Sequence, residues 1–312
     1  MSSDRKPLHH FWAPKYWPGW LGLAVLRLIC LLPRPVSMGI GQFIGRVAHR
    51  TGKKRRAIAL RNIELCFPDL TMEEQRALTR QHFEALGMSM IEMGLGRWAS
   101  DEKLAAMTTI EGFEYLQAGI DAGKGIILLG AHFTTLEISG RVLRPFCPPF
   151  DAVYRPHRSA FLTEILRSGR ERSADSIIEK GDIRAMIRSL RQGRPVWYAP
   201  DQSYHRKGAE VIPFFGVPSM HNTATTTLAR LGKALTLPYF PRRLPDGRYE
   251  MRILAPLVDV PSDDAIADTE KYVAALEDHI RLCPEQYFWI HRKFKGLPAG
   301  YPDYYADLDA SK

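Results

Sequence analysis

The sequence predicts an α/β fold, a mixed, mostly parallel sheet flanked by helices, with an N-terminal membrane-anchor helix ahead of it. Three observations predict it. From about residue 108, short apolar runs alternate with amphipathic stretches, as strands alternate with crossover helices. Helical signals dominate before that point, as far as Trp98. At the start, residues 17–32 read WPGWLGLAVLRLICLL, an apolar run in which Arg27 carries the only charge.

As a helix, that run spans roughly 24 Å at about 1.5 Å per residue, against a hydrocarbon core near 30 Å. A span and a helix lying in the interface therefore both remain open, with a buried core helix as the plain alternative. Trp12, Tyr16, Trp17 and Trp20 gather at its beginning, as aromatic side chains do at a membrane boundary. No small-residue cleavage site follows, so a secretory signal does not fit. The expected division is an anchor over 1–34 and one catalytic domain over 35–312. Behind the apolar run come Arg46, Arg50, Lys53, Lys54, Arg55, Arg56 and Arg61 with no acid among them. Such a cluster suits the anionic inner leaflet and, if the apolar run spans, keeps the body on the cytoplasmic side.

Val36, Ile40, Phe43, Ile44 and Val47 recur at helical spacing, and Thr71 with Glu74 makes a capping box before a long helix. GIILLG (125–130), DAVY (151–154), SII (176–178) and PVWYAP (195–200) read as buried strands. Residues 135–144, 159–172 and 181–192 read as helices between them. Asn222 caps a helix TATTTLARLG, followed by strands ALTLPYF and RYEMRIL about the turn PDG, then a last helix near 268–282 before QYFWIHRKF.

The 312 residues, 45% hydrophobic and 25% charged, are those of a folded protein. The net charge of +9 favours nucleic acid, an anionic membrane or an acidic partner. No nucleic-acid module is recognisable, which leaves membrane and acidic partner. Cys30, Cys66, Cys147 and Cys283 are scattered, without C-x-x-C or zinc spacing, and read as reduced thiols. No metal and no cofactor are expected.

The strand GIILLG runs into AHFTTLEISGR and places His132 just past a strand's carboxyl end, where open α/β sheets bind ligands. Glu137 follows five residues later. On one helix the two would lie about 140° apart, so they converge only if the chain turns after His132 and the helix begins near Thr134 or Thr135. A carboxylate on one imidazole nitrogen would leave the other as general base. A histidine capping a helix beside a surface glutamate is the ordinary alternative.

His132 and Glu137 in this context resemble the H-x4-(D/E) motif of the late lipid A acyltransferases. RNIELCFPDL (61–70), VYRP (153–156), GRER (169–172), VWYAPDQSY (196–204), IPFFG (212–216) and ATTTLARLGKA (224–234) agree with it, nearly end to end. The wording is closer to lauroyl-type than to myristoyl-type members, and Glu stands where the glycerolipid acyltransferases usually have Asp. The resemblance implies a glycerolipid-acyltransferase-like fold in the bacterial inner membrane. It implies transfer of an acyl chain from acyl carrier protein to a 3-hydroxyacyl hydroxyl of Kdo-bearing lipid IVA, an anionic lipid A precursor. In that reading His132 is the base, Glu137 holds it, and Arg170 stabilises the oxyanion, with Arg155 as second choice. Arg155, Asp201 and Gln202 bind substrate, and Asp201 orients Arg170 or holds a hydroxyl. Leu136, Ile138 and Phe214 are candidate walls of the acyl pocket. Two other functions stay open: acyl transfer to another glycolipid or a phospholipid, and a non-catalytic lipid-binding membrane protein.

Overall fold

Gly125–Leu129 is buried at every position, as a strand with neighbours on both edges and helices on both faces must be. This strand, β2, is the centre of the computed structural model, which describes residues 7–155, 159–206 and 208–310. Four helices precede the sheet: α1 (Trp17–Ile29), α2 (Arg34–Thr51), α3 (Lys53–Cys66) and α4 (Met72–Trp98). After α5 (Asp101–Ala105), β1 (Thr108–Glu111) and α6 (Phe113–Asp121), the alternating part begins. It runs β2, α7 (Leu136–Leu143), β3 (Asp151–Tyr154), α8 (Ala160–Arg170), β4 (Ser176–Glu179), α9 (Ile183–Arg191) and β5 (Pro195–Tyr198). A hairpin of β6 (Ala209–Phe214) and β7 (Val217–Asn222) follows, then α10 (Ala224–Gly232), β8 (Ala234–Arg243), β9 (Tyr249–Ile253), α11 (Ala265–Leu282) and α12 (Ala306–Ala310).

Seven strands form one sheet in the order β1-β9-β8-β2-β5-β3-β4. Every neighbouring pair is parallel except β8 with β9. The expected mixed, mostly parallel sheet flanked by helices is what the chain builds. The β6–β7 pair stands apart from this sheet.

The first two helices depart from expectation. Helix α1 has 13 residues, about 20 Å at the helical rise. No helix among the described residues is long and apolar enough to cross a membrane. Of the two anchor readings left open, the transmembrane span is therefore corrected: Pro33 ends the apolar run and caps the start of α2. Residues 1–6 of the expected anchor lie outside the described residues. Along α1, Trp17, Leu21, Val25 and Leu28 are exposed on one stripe, while Leu26, Ile29 and Cys30 pack inward. Along α2, Val36, Phe43 and Val47 are exposed, and the buried side carries Ser37, Met38, Gly41 and Gly45.

Those glycines let α2 lie flush on α4. A Cβ at Gly45 would stand 2.1 Å from the Phe83 carbonyl oxygen, and one at Gly87 2.0 Å from that of Gly41. The two backbones touch, which only a small residue allows. Helix α4 starts on the expected capping box of Thr71 and Glu74 and ends against α7 and α8. A Cβ on its Gly96 would lie 3.3 Å from the Glu137 carbonyl, and Arg97 Nη1 donates to the Ile165 carbonyl and the Ser168 hydroxyl. The basic cluster is partly engaged within the protein: Arg46 pairs with Glu84, and Arg61 with Glu64 and Asp307.

Candidate active site

β2 and β5 are adjacent and parallel, with Leu129 opposite Tyr198, so the segments leaving them emerge side by side. One carries His132 and the other Asp201. His132 Nδ1 lies 2.6 Å from Asp201 Oδ1, and the His132 backbone N–H donates to Asp201 Oδ2 at 3.1 Å. An ionised carboxylate only accepts, so Nδ1 carries the proton and Nε2 is left with a lone pair. The imidazole is partly exposed while Asp201 is buried at 1%.

This geometry corrects one expectation. The carboxylate on the imidazole is Asp201 and not Glu137, and Asp201 does not orient Arg170. The chain does turn after His132, and α7 begins at Leu136. Glu137, in its first turn, reaches away to the end of α8. There Arg170 Nε donates to Glu137 Oε2 at 3.1 Å and Nη2 donates to Oε1, a two-pronged pair. Burial opposes the charge on Arg170, but the Glu137 carboxylate more than offsets it and leaves the guanidinium above its ordinary pKa. The fork uses Nε and Nη2, leaving Nη1 for another oxygen.

Asp201 is held from every side. Burial alone would raise its pKa, yet the charge and hydrogen bonds of His132, with the ammonium of Lys293, hold it down at about 2. The Tyr287 hydroxyl donates to Asp201 Oδ2 at 3.1 Å, and Lys293 Nζ donates to the Asp201 carbonyl at 2.7 Å. The turn bearing His132 is stapled to the same C-terminal segment. Phe288 N–H donates to the His132 carbonyl at 3.0 Å, Thr134 N–H to that of Gln286 at 2.7 Å, and Phe133 bridges Tyr287. The Tyr272 hydroxyl donates to the Gly130 carbonyl. None of Tyr272, Tyr287 and Lys293 was among the residues singled out in the sequence. For Tyr287 and Lys293 the signal is the run QYFWIHRKF, in which a lysine sits among aromatic residues, whereas Tyr272 lies within the last long helix and carries no such mark.

The remaining expected residues are spread out. Arg155 stands exposed at the carboxyl end of β3, and Gln202 is half-buried beside Asp201. Leu136 lines a small cavity with Glu137, Phe150, Val153, Arg170 and Trp197, so an apolar wall lies directly against the ion pair. Ile138 and Phe214 are fully buried in separate parts of the core and line no such space. A larger cavity of about 620 Å³ opens between α2, α4 and the β8–β9 turn. Its Arg242 and Arg243 are already paired with Glu250 and Glu92, and its Arg34 donates to the Gly247 carbonyl and lies over the Tyr249 ring. Among the described residues, no group of three or more His, Cys, Asp or Glu gathers as a metal site would.

A partly exposed imidazole held by a buried aspartate at the carboxyl ends of parallel strands can take a proton from a hydroxyl, and a guanidinium can steady an oxyanion. Comparison with known proteins gives the family. The family model for bacterial lipid A biosynthesis acyltransferase matches residues 5–296. The lipid A biosynthesis lauroyltransferase of Escherichia coli K12 is 37% identical over 94% of this chain and 96% of its own length. A lipid A biosynthesis acyltransferase of Haemophilus influenzae is 37% identical over 96% of this chain and 97% of its own. The Escherichia coli lipid A biosynthesis palmitoleoyltransferase is 36% identical over 93% and 95%. The chain belongs to the bacterial lipid A biosynthesis acyltransferase family.

Proposed function

We propose that the chain transfers an acyl group from an acyl carrier protein thioester to a 3-hydroxyacyl hydroxyl of Kdo-bearing lipid IVA. The observation that carries this reading is the 2.6 Å His132–Asp201 bond with Nε2 left open, in a chain of this family. The hydroxyl oxygen attacks the thioester carbonyl as its proton passes to His132 Nε2. The resulting imidazolium is stabilised by Asp201. Arg170 faces the tetrahedral oxyanion through Nη1, with Glu137 fixing its orientation. Collapse breaks the carbon–sulfur bond, and the proton leaves His132 for the departing thiolate. No acyl-enzyme forms, so no serine or cysteine nucleophile is required. Arg155 and Gln202, beside this edge of the sheet, receive polar groups of the acceptor. The net charge of +9 favours both the phosphates and carboxylates of the lipid and an acidic carrier protein.

The outward apolar faces of α1 and α2 seat the protein in the cytoplasmic leaflet of the inner membrane, with α1 lying in the interface. Exposed Arg50, Lys53 and Arg55 add attraction to anionic headgroups. Residues 35–312 carry the catalysis.

Purified protein with lauroyl-loaded and palmitoleoyl-loaded acyl carrier protein should acylate Kdo-bearing lipid IVA and leave a phospholipid acceptor untouched. Lipid A from a strain lacking the chain should be lighter by one acyl group. Acylation of the phospholipid alone, or lipid A of unchanged mass, overturns the assignment.

A further inference from the structure

Lys293 is buried at 2% exposure, and its acceptors among the described residues include no carboxylate oxygen. Its ammonium donates to the Asp201 carbonyl at 2.7 Å, lies 3.4 Å from His221 Nε2 and sits 4.6 Å from the centre of the Phe214 ring. His221 is itself met by the Ser219 hydroxyl at 2.7 Å. Burying an ammonium with only neutral partners is costly, and a methionine of the same reach would fill the slot without that penalty. A purely structural account of this lysine is therefore incomplete.

The charge balance supplies what is missing. Asp201 is a buried carboxylate, and a base must begin the reaction with a neutral imidazole. In that resting state the charge of His132 that helps hold Asp201 down is absent, and only its two hydrogen bonds to the carboxylate remain. The buried cation touching the Asp201 residue is Lys293.

We propose that Lys293 is a positioning residue for the catalytic pair: it fixes the Asp201 backbone through the carbonyl and supplies the counter-charge that lets Asp201 stay ionised beside a neutral His132. The inference rests on the reading of His132 as the base. Burial pulls the Lys293 pKa down to about 8 while the Asp201 charge resists, so the group is still protonated at neutral pH. The other titratable groups facing it are His221, His291, Cys66, Glu277 and Tyr305, and His132 lies across Asp201, which both Lys293 and His132 touch. With Lys293 removed, the Asp201 charge acts on the imidazole without opposition, and the proton stays on His132 to higher pH.

The test reads the imidazole directly. Diethyl pyrocarbonate modifies only unprotonated imidazole, and mass spectrometry of the peptide bearing His132 follows the reaction against pH. In Lys293→Met and Lys293→Gln, the midpoint for His132 should move up by about one pH unit, the size expected of a lost nearby charge. In Lys293→Arg it should stay where the native protein has it. In the acyl transfer assay, the acid limb of kcat should move by the same amount with KM for donor and acceptor unchanged. An unmoved midpoint in a folded Met or Gln variant overturns the proposal, and so does loss of the folded state in both, which would make Lys293 a fold residue. Because the modification needs no turnover, a shifted midpoint in a protein without acyltransferase activity would keep this inference and remove the proposed reaction.

Discussion

The two layers of this molecule use apolar side chains in opposite ways. In the body, the apolar residues of β2, β5 and β8 point inward and are buried, Ile126, Ile127, Leu128, Val196 and Leu237 completely. On one stripe of α1 and one face of α2, large apolar side chains (Trp17, Leu21, Val25 and Leu28, then Val36, Phe43 and Val47) face out, and on α2 the seam with α4 is made by glycine. A helix facing water would be built the other way round. The difference teaches that apolar periodicity locates a face and leaves open what covers it: in the body the protein covers it, and in the first layer something outside the protein must. Patches of this extent on soluble proteins mark interaction surfaces.

The comparison predicts separable losses. The largest belongs to the site. His132→Ala should lower kcat by about 10²–10⁴-fold, the contribution of a positioned base, in detergent and on vesicles alike. Asp201→Asn should cost a similar factor, and the double variant little more, because Asp201 acts through the imidazole. Additive losses in that cycle would dissolve the pair. Arg170→Ala should lower kcat more than it raises KM. A pure KM effect would mark Arg170 as a binder of phosphate or carboxylate instead.

Next comes the seam. Gly45→Leu forces the two helix backbones apart and should cost more than about 3 kcal/mol, read from chemical denaturation in detergent. A loss under 1 kcal/mol would mean that the layers are only loosely joined.

Acid should then strike the body. Burial holds His82, His279 and His291 at about 4, so each is neutral when folded and takes a proton when unfolded below about 6.5. Their effect is to remove stability as pH falls from about 6.5 to about 4. Asp201 behaves differently: its pKa of about 2 gives stability above about 3.8 that is lost as pH falls through 2. Denaturation midpoints measured against pH should therefore decline first in the histidine window, and His279→Phe should flatten that decline.

The first layer should give a loss of attachment alone. Leu28→Ser and Phe43→Ser, both at exposed positions, should each weaken binding to anionic vesicles by about ten-fold or more, from about 1.5–3 kcal/mol of apolar burial. Their unfolding free energies should stay within about 0.5 kcal/mol of the native value. Removing residues 1–34 should leave an attachment that high salt releases. The smallest effect is expected from chelation, which should leave turnover unchanged.

Much of this was legible in the residues. The strands from GIILL to PVWY, the helices between them and the Thr71–Glu74 cap follow from local pattern, and local pattern is what the sequence displays. The partner of His132 was not legible. Asp201 is 69 positions away, and only the adjacency of β2 and β5 brings it in, whereas Glu137 lay close in the chain and invited the pairing. The β6–β7 hairpin was missed because its strands lack a clean alternation and include Pro213 and Pro218. Helical spacing on α2 was read correctly, but spacing cannot say which face is inside when the inner face is glycine.

Helix α4 has a consequence of its own. It runs unbroken for 27 residues, about 40 Å, carrying the α2 seam on one part of its length and the helices of Glu137 and Arg170 at its end. It is a spar between the outer layer and the chemistry. A bilayer that takes up α1 and α2 thereby sets the height of His132 above the lipid tails. Hydroxyls at that height are within reach, and those buried deeper or standing further out are not, whatever their reactivity.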